Sequence, residues 1–283
     1  MRDFTLYIYK KLLEALLENG YQFIRFEQYL SHSYAQQQRA DNEAISKLSD
    51  KYIILRHDVD LKAQNSLRTA QIEHELGIQA SYYFRVVSQS NQPEIIQAIA
   101  ALGHEIGYHY EDMSICQGDS EKAYAHFVKQ LAYFRTFYPV QTICMHGAPT
   151  SKWDGKDLWK KYNYRELGII GEPYFDVDFA QMFYLTDTGR CWDGYKVSVR
   201  DKIPVHQDEW NAQGLVYHST KDIIQAVQEQ RLPAKIMITT HPQRWTDSRV
   251  AWMKELVVQS LKNTVKRLVV CRLEQPKAVV EKF

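Results

Sequence analysis

The 283-residue sequence lacks the features that mark several large classes of protein. It has four cysteines and no Cys-x-x-Cys pair, which indicates reduced thiols and not a disulfide framework. The formal net charge is only +1, and without a long basic run the chain offers no electrostatic surface for nucleic acid. No stretch approaches the roughly 20 apolar residues of a membrane span, and the N-terminal segment has no signal-peptide core. These absences predict a cytoplasmic protein that neither spans a membrane nor binds nucleic acid.

The remaining composition is that of an ordinary globular protein. Hydrophobic residues make up 45% of the chain and charged residues 24%, and 283 residues is a common length for one α/β barrel. Aromatic residues reach 13%, with 19 tyrosines. Aromatic rings can stack on sugars, but they also fill hydrophobic cores, and the core is the more frequent place for them. We expect a single domain over residues 1–283.

From residue 52 onward, predicted strands and helices alternate. Strands are predicted at 52–57, 80–87, 105–109 and 142–145, and helices at 62–76, 93–102 and 120–137. Near the C-terminus, a helix at 219–230 precedes a strand at 234–241 and a last helix at 248–266. Strands that alternate with helices of this length are typical of parallel βα units.

Two segments fit this alternation less well. Residues 1–50 are expected to form an N-terminal extension, with a helix at 4–18, a short strand at 21–26 and a polar surface insertion at 31–50. Residues 152–214 are less regular, with glycine and aspartate in predicted loops, and the order of any strands there is left open.

Polar clusters follow four of the predicted strands. Their sequences are RHDVD (56–60), HYED (109–112), HGAP (146–149) and HPQRW (241–245). In a parallel α/β barrel or sheet, ligands bind beyond the carboxyl ends of the strands. Histidine and aspartate clusters at four such ends therefore indicate a functional site at one rim of the fold.

Asp58 and Asp60 lie two residues apart, so on a strand they point to the same side. Two free anions that close together are unfavourable in a partly buried site. Either one carboxylate takes up a proton, or a cation binds the pair, or Arg56 on the same face neutralises one of them in a structural salt bridge. The sequence leaves these alternatives open.

Histidines at the ends of three other strands favour a metal. His109, His146 and His241 each follow an apolar segment and are expected at the same rim as Asp60. A carboxylate and two imidazoles are a common Zn²⁺ ligand set that keeps one position open for water. A second carboxylate could deprotonate that water, and a further histidine could protonate the leaving group. This combination fits hydrolysis of an amide or an ester.

The motifs LRHDVD, GHEIGYHYED, MHGAP and MITTHP, in this order and spacing, resemble those of the polysaccharide deacetylase family, the NodB-homology domain or carbohydrate esterase family four. They cover roughly residues 52–245. The resemblance implies a distorted (β/α)7 barrel, a divalent metal, usually Zn²⁺, and removal of an acetyl group from an N-acetylated sugar. It also implies Asp58 as catalytic base, Asp60 and His109 as metal ligands, and His241 as general acid.

Two positions depart from that family's pattern. Met113 occupies the place of the second metal histidine, four residues after His109, and a thioether is a poor ligand for a hard, water-activating site. His146 stands where the third motif normally has an arginine. We expect His146 to serve as the third ligand, with Asp112 or Glu111 as alternatives.

Four further residues near these motifs are predicted to bind substrate or to orient the base. Trp245 could stack on a sugar ring, Asp187 and Arg190 lie in a loop after a predicted strand, and Asp112 follows the HYE segment. Core packing is the alternative interpretation for Trp245, a capping or turn role for Asp187, and simple solvation for Asp112. Cys144 lies near the third motif, but no arrangement that would activate its thiol is visible.

The sequence thus predicts a metal-dependent deacetylase of an N-acetylated sugar or glycan precursor, acting in surface-polysaccharide biosynthesis. A second hypothesis is a non-catalytic relative of the fold that binds a glycan or a partner, because Met113 breaks the usual ligand set. A third is a metal-independent glycosidase that pairs Asp58 with Asp112 or Asp187, for which the separation of the carboxyl groups is diagnostic. Metal content distinguishes the first hypothesis from the other two.

Overall fold

The computed structural model describes residues 2–37, 48–148, 150–192, 197–198 and 200–274. Its strands form one sheet in which every pairing is parallel. The strands are β1 (Gln22–Ile24), β2 (Tyr52–Val59), β3 (Ser81–Phe84), β4 (Glu105–Tyr110), β5 (Ile143–Met145), β6 (Phe183–Thr186) and β7 (Lys235–Thr240).

β2 is the central strand of the sheet. The strand order is β5-β4-β3-β2-β7-β6, and β1 pairs with the first residues of β2, on the same edge as β3. All of β2 is buried. The register sets Arg56 opposite Ser81 of β3 and Thr239 of β7. Side chains of neighbouring strands therefore lie in common layers, and the carboxyl end of β2 reaches the middle of the rim.

Helices flank the sheet and its rim. They are α1 (Leu6–Glu18), α2 (Phe26–Gln37), α3 (Ala63–Glu75), α4 (Pro93–Ala101), α5 (Asp112–Ile115), α6 (Ser120–Phe134), α7 (Pro173–Asp176), α8 (Pro204–Ala212), α9 (Thr220–Gln228) and α10 (Arg249–Glu274). Polar side chains cap the amino-terminal ends of several helices. At α1 the Thr5 side chain accepts a hydrogen bond from the Ile8 N–H, and at α9 Ser219 and Asp222 form a capping box. Among the described residues, no helix is both long and apolar enough to cross a bilayer.

The parallel sheet and its covering helices form the distorted (β/α)7 barrel that the sequence predicted. Alternation along β2 points Arg56 and Asp58 into the barrel and His57 outward. His57 Nε2 lies 2.8 Å from Glu73 Oε1 of α3, and the imidazole stacks on Tyr82 with ring centroids 4.1 Å apart. His57 thus has its partners within the fold, whereas Asp58 lines the pocket.

Three elements differ from the sequence-based expectation. α2 covers the start of the expected polar insertion, because Phe26 and Leu30 are buried; residues 38–47 lie outside the described residues. The short strand expected at 21–26 is present as β1, and what the sequence did not predict is its pairing with β2. α10 continues to Glu274, beyond the predicted end at residue 266.

Candidate metal centre and active site

One pocket at the carboxyl-terminal rim of the barrel receives the polar ends of β2, β4, β5 and β7. The residues that the sequence assigned to catalysis and metal binding all line it, namely Asp58, Asp60, His109, His146 and His241. They come from separate strands or from the residues directly after them. The structure therefore brings these five side chains together, as the strand-end pattern predicted.

Asp58 is held by an ion pair with Arg56, two residues earlier on the same strand. Arg56 donates from Nε to Oδ1 at 2.8 Å and from Nη2 to Oδ2 at 2.7 Å, and both residues are buried. Burial alone would raise the pKa of the Asp58 carboxyl, but the charges of Arg56 and His109 outweigh it and lower that pKa. The salt-bridge alternative is therefore present for Asp58, which stays ionised without a bound cation.

Asp60 lies beyond the end of β2 and faces two imidazoles instead of a guanidinium. Its Oδ1 is 3.0 Å from His146 Nδ1 and 3.5 Å from His109 Nε2, and the two ring nitrogens are 3.2 Å apart. Gln243 Nε2 donates to the other oxygen, Oδ2, at 3.1 Å. Burial would raise the Asp60 pKa, but the neighbouring imidazoles of His146 and His109 hold it well below its usual value.

These three side chains have the chemistry that a Zn²⁺ ion requires. Asp60 Oδ1 is buried and makes no hydrogen bond, although two imidazole nitrogens surround it. His109 Nδ1 lies 3.0 Å from the carbonyl oxygen of Cys144; donation there leaves the lone pair of Nε2 free to face the pocket. A buried carboxylate oxygen that makes no hydrogen bond but lies beside two imidazole nitrogens is typical of a cation site.

A second group of possible ligands shares one member with the first. Asp58, His109 and Cys144 also place ligand atoms within 4.8 Å of one another. Both oxygens of Asp58, however, already accept from Arg56. Burial also raises the pKa of the Cys144 thiol well above its usual value, so the thiolate form is disfavoured. We therefore favour the set of Asp60, His109 and His146.

His241 is oriented by a buried carboxylate. Its Nδ1 lies 2.6 Å from Asp187 Oδ1, and its backbone N–H donates to Oδ2 at 3.0 Å. Arg244 Nη1 and Trp245 Nε1 donate to the same carboxylate at 2.6 and 2.8 Å. Burial would raise the Asp187 pKa, but Arg244 and His241 outweigh it and lower that pKa. The other ring nitrogen of His241 lies 3.9 Å from Asp60 Oδ2, so the imidazole points into the pocket.

The structure does not bring the remaining predicted substrate residues to the pocket. Trp245 is fully buried in the core, where no sugar could stack on it. Asp112 is buried against Tyr108 and His126, with 2.5 Å between His126 Nδ1 and its Oδ1. Arg190 lies over the ring of Trp252, at 4.4 Å from its centroid. Asp187 reaches the site only through His241.

The two alternative third ligands also have other partners. Glu111 makes a two-pronged ion pair with Arg85, with distances of 2.8 and 2.9 Å, and its Oε2 is 3.9 Å from His146 Nε2. Asp112 has Tyr108 and His126 as partners and is not among the residues that line the pocket. Met113, at the position of the family's second metal histidine, is buried at 6% exposure. Of the candidates, His146 alone places a ring nitrogen beside both Asp60 and His109.

Sequence reasoning missed Asp201, which lines the pocket. It accepts hydrogen bonds from four hydroxyl groups, those of Tyr174, Tyr184, Thr186 and Thr188. Its Oδ1 also lies 3.8 Å from Arg56 Nη2, so Arg56 is shared between two carboxylates. Asp201 directly follows the alternating segment YKVSVR (195–200), and this pattern is the signal that could have identified it.

By sequence, the chain matches no protein family profile and no curated protein. Solved structures similar to it include a CE4 family pseudoenzyme from Bacillus anthracis (11% identity, TM-score 0.41, covering 76% of this chain and 61% of that one). Another is a family 4 carbohydrate esterase from Streptomyces lividans in complex with acetate (16% identity, TM-score 0.38, covering 75% of this chain and 90% of that one). A third is the CE4 domain of a multidomain xylanase from the hindgut metagenome of Trinervitermes trinervoides (12% identity, TM-score 0.37, covering 76% of this chain and 85% of that one). This chain thus spans less than two thirds of the length of the pseudoenzyme. All three bear the name of the family that the sequence motifs resemble, and the likeness says nothing about activity.

Proposed function

We propose that this protein is a metal-dependent hydrolase that removes the acetyl group from an N-acetylated sugar. The observation that carries the proposal is the meeting of Asp60, His109 and His146 in the pocket that Asp58 and His241 also line. A ligand set, a separate carboxylate and a separate imidazole are the parts that metal-assisted amide hydrolysis needs. The sugar substrate is proposed from the resemblance of the motifs.

Each residue has a distinct task in this reaction. Asp60, His109 and His146 would hold Zn²⁺ or a similar ion, which would supply Lewis-acid polarisation of the acetyl carbonyl and acidify a water. Asp58, kept ionised and fixed in orientation by Arg56, accepts a proton from the attacking water. His241 donates a proton to the departing amine nitrogen.

Two hypotheses from the sequence compete with this proposal. The first is a non-catalytic binding protein, which Met113 favours because it replaces the family's second metal histidine. Such a protein would contain no stoichiometric metal in the pocket. The glycosidase hypothesis gains no support from the pocket, since neither Asp112 nor Asp187 is among its lining residues. A cytoplasmic role in surface-polysaccharide biosynthesis stays a prediction.

Metal content tests the ligand assignment directly. We expect about one Zn²⁺ or similar ion per chain in protein purified without chelators, and its loss in His109→Ala and in His146→Ala. His74→Ala, a change on the outer helix α3, is the matched control and should keep the metal. Retention of metal in His146→Ala would remove His146 from the ligand set.

Acetate release tests the reaction. The wild type should release acetate from some member of a panel of free, oligomeric and nucleotide-linked N-acetylhexosamines. Asp58→Asn should lower kcat by roughly 10²-fold or more while the metal content stays unchanged, because Asp58 is a base and not a ligand. A protein with stoichiometric metal that releases no acetate from any of these sugars would contradict deacetylation, and one without metal even after Zn²⁺ is supplied would favour the binding protein.

A further inference from the structure

α10 carries an uncovered apolar stripe on the side that faces away from the barrel. Along it, the exposed fractions of Val250, Met253, Val257, Leu261 and Val265 are 81%, 55%, 53%, 67% and 61%. Spacings of three and four residues place these side chains on one face of the helix, over a length of about 22 Å. Exposed apolar side chains scattered singly are normal, but a continuous row of them marks an interaction surface.

The opposite face of α10 fastens the helix at the mouth of the barrel. Asn263 Nδ2 donates to the carbonyl of Gly189 at 2.7 Å, and Arg190 Nη1 donates to the carbonyl of Trp252 at 3.1 Å. Thr188, next to Gly189 in the chain, lines the candidate active-site pocket. Whatever covers the apolar stripe is therefore held close to the pocket entrance.

Between residues 249 and 265, the exposed charges of this helix are basic. Arg249, Lys254 and Lys262 are all exposed and lie on or beside the stripe. The stretch from 249 to 265 contains one acidic residue, Glu255, and Lys62 Nζ neutralises it at 2.7 Å. The surface therefore combines apolar side chains with an uncompensated positive charge.

We propose that α10 is a membrane-docking helix whose apolar stripe enters the interface of an anionic lipid bilayer. A helix with an apolar face and lysines on its flanks lies in the plane of the interface, with the apolar side chains about 5–10 Å deep. The lysines then meet anionic headgroups, and their aliphatic stems follow the apolar face. This docking goes beyond the proposed hydrolysis and does not depend on it.

The charges favour a lipid surface over a second copy of the chain. A second copy of α10 on the stripe would bring its own Arg249, Lys254 and Lys262 to the same surface. Like charges in contact oppose association. An anionic bilayer presents the opposite charge along the whole helix.

Vesicle co-sedimentation tests the docking. Wild-type protein should bind vesicles that contain one third phosphatidylglycerol at least roughly tenfold more tightly than pure phosphatidylcholine vesicles, and high salt should weaken the binding. The double variant Val257→Glu and Leu261→Glu should lose binding to the anionic vesicles and to the pure phosphatidylcholine vesicles. The double variant Lys254→Glu and Lys262→Glu should lose the preference for the anionic vesicles.

Val205→Glu is the matched control, since Val205 is 86% exposed on α8, and it should bind as the wild type does. Circular dichroism should show the same fold in all variants. Absence of wild-type binding to the anionic vesicles would overturn the proposal. So would a dimer in analytical ultracentrifugation that the Val257 and Leu261 changes convert to a monomer, because the stripe would then belong to a second copy.

Discussion

Asp58 and Asp60 are chemically alike and two residues apart, yet their surroundings give them different tasks. Arg56 occupies both oxygens of Asp58, whereas Asp60 leaves one buried oxygen without a hydrogen bond beside two imidazoles. A guanidinium fixes a carboxylate in the plane of its fork and keeps it charged. The first aspartate therefore suits a base that stays in place, and the second suits a ligand.

The prediction at the scale of single residues concerns Asp187. It touches His241 and not the pocket, so Asp187→Asn should lower kcat for acetate release by roughly 10²-fold while KM changes little. The reason is that the amide no longer offers a charged acceptor for His241 Nδ1, which holds the ring in position. Steady-state kinetics with a soluble sugar would measure both constants. Asp208→Asn, an exposed change on α8, is the control; a rise in KM with unchanged kcat would show that Asp187 acts in substrate binding instead.

At the scale of elements, the site depends on how closely β3, β4 and β5 approach one another. Gly107 of β4 lies under the Tyr83 ring of β3: a Cβ added there would be 2.3 Å from the ring and 3.0 Å from the carbonyl oxygen of Thr142. His109, a proposed ligand, is the next inward residue of β4. The absence of one side chain thus sets the distance between strands that carry ligands.

Gly107→Ala should therefore destabilise the protein by about 1–3 kcal/mol, as overpacked cores do. The change forces the Tyr83 ring or the strand to move. Urea denaturation followed by tyrosine and tryptophan fluorescence would give the free energy of unfolding. Gly147→Ala, whose new Cβ meets no other atom closer than 3.9 Å, should change stability by less than about 0.5 kcal/mol. Equal effects of the two changes would contradict the close-approach explanation.

At the scale of the whole molecule, the fold buries the glutamates Glu105 and Glu172. Glu105 is buried at the amino-terminal end of β4, where it accepts hydrogen bonds from Ser81 Oγ at 2.6 Å, from Thr142 Oγ1 and from the backbone N–H of Glu27 at 3.1 Å. Burial, together with the charge of Glu27, raises its pKa to about 7. Glu172, also buried, has its pKa raised to about 7 mainly by burial. Glu105 thus links β4 to β3, to Thr142 and to the start of α2, so its ionisation affects the stability of the whole fold.

Because the folded-state pKa of Glu105 lies above its unfolded value, the folded state binds more protons between these two pKa values. The free energy of unfolding should thus fall as the pH rises from about 4.5 to 7, by up to about 3 kcal/mol for this group. Glu105→Gln should remove this part of the pH dependence and leave the part due to Glu172. Chemical denaturation at several pH values would measure it. An unchanged slope in the variant would show that Glu105 is ionised in the folded protein throughout this range.

Much of the barrel follows from local patterns in the sequence. The alternation of apolar strands and helices predicted the parallel sheet, and the helices at 93–102 and 120–137 lie within a few residues of α4 and α6. The alternation of side chains on β2 also predicted that Asp58 and Asp60 share a face with Arg56. These features depend on neighbours along the chain, which the sequence shows directly. The likeness of the motifs supplied the proposed chemistry.

The tertiary structure alone decided which partner each side chain meets. It turned Asp112 toward Tyr108 and His126, placed His146 beside Asp60, and brought Asp201 from an irregular segment to Arg56. It also buried Trp245, which the sequence offered as a sugar platform. Most of these partners are distant in the chain. The local sequence favours none of the possible partners over the others, and burial and hydrogen-bond geometry select one of them. The sequence by itself determined the strands and the rim they end on; packing across the barrel determined the site.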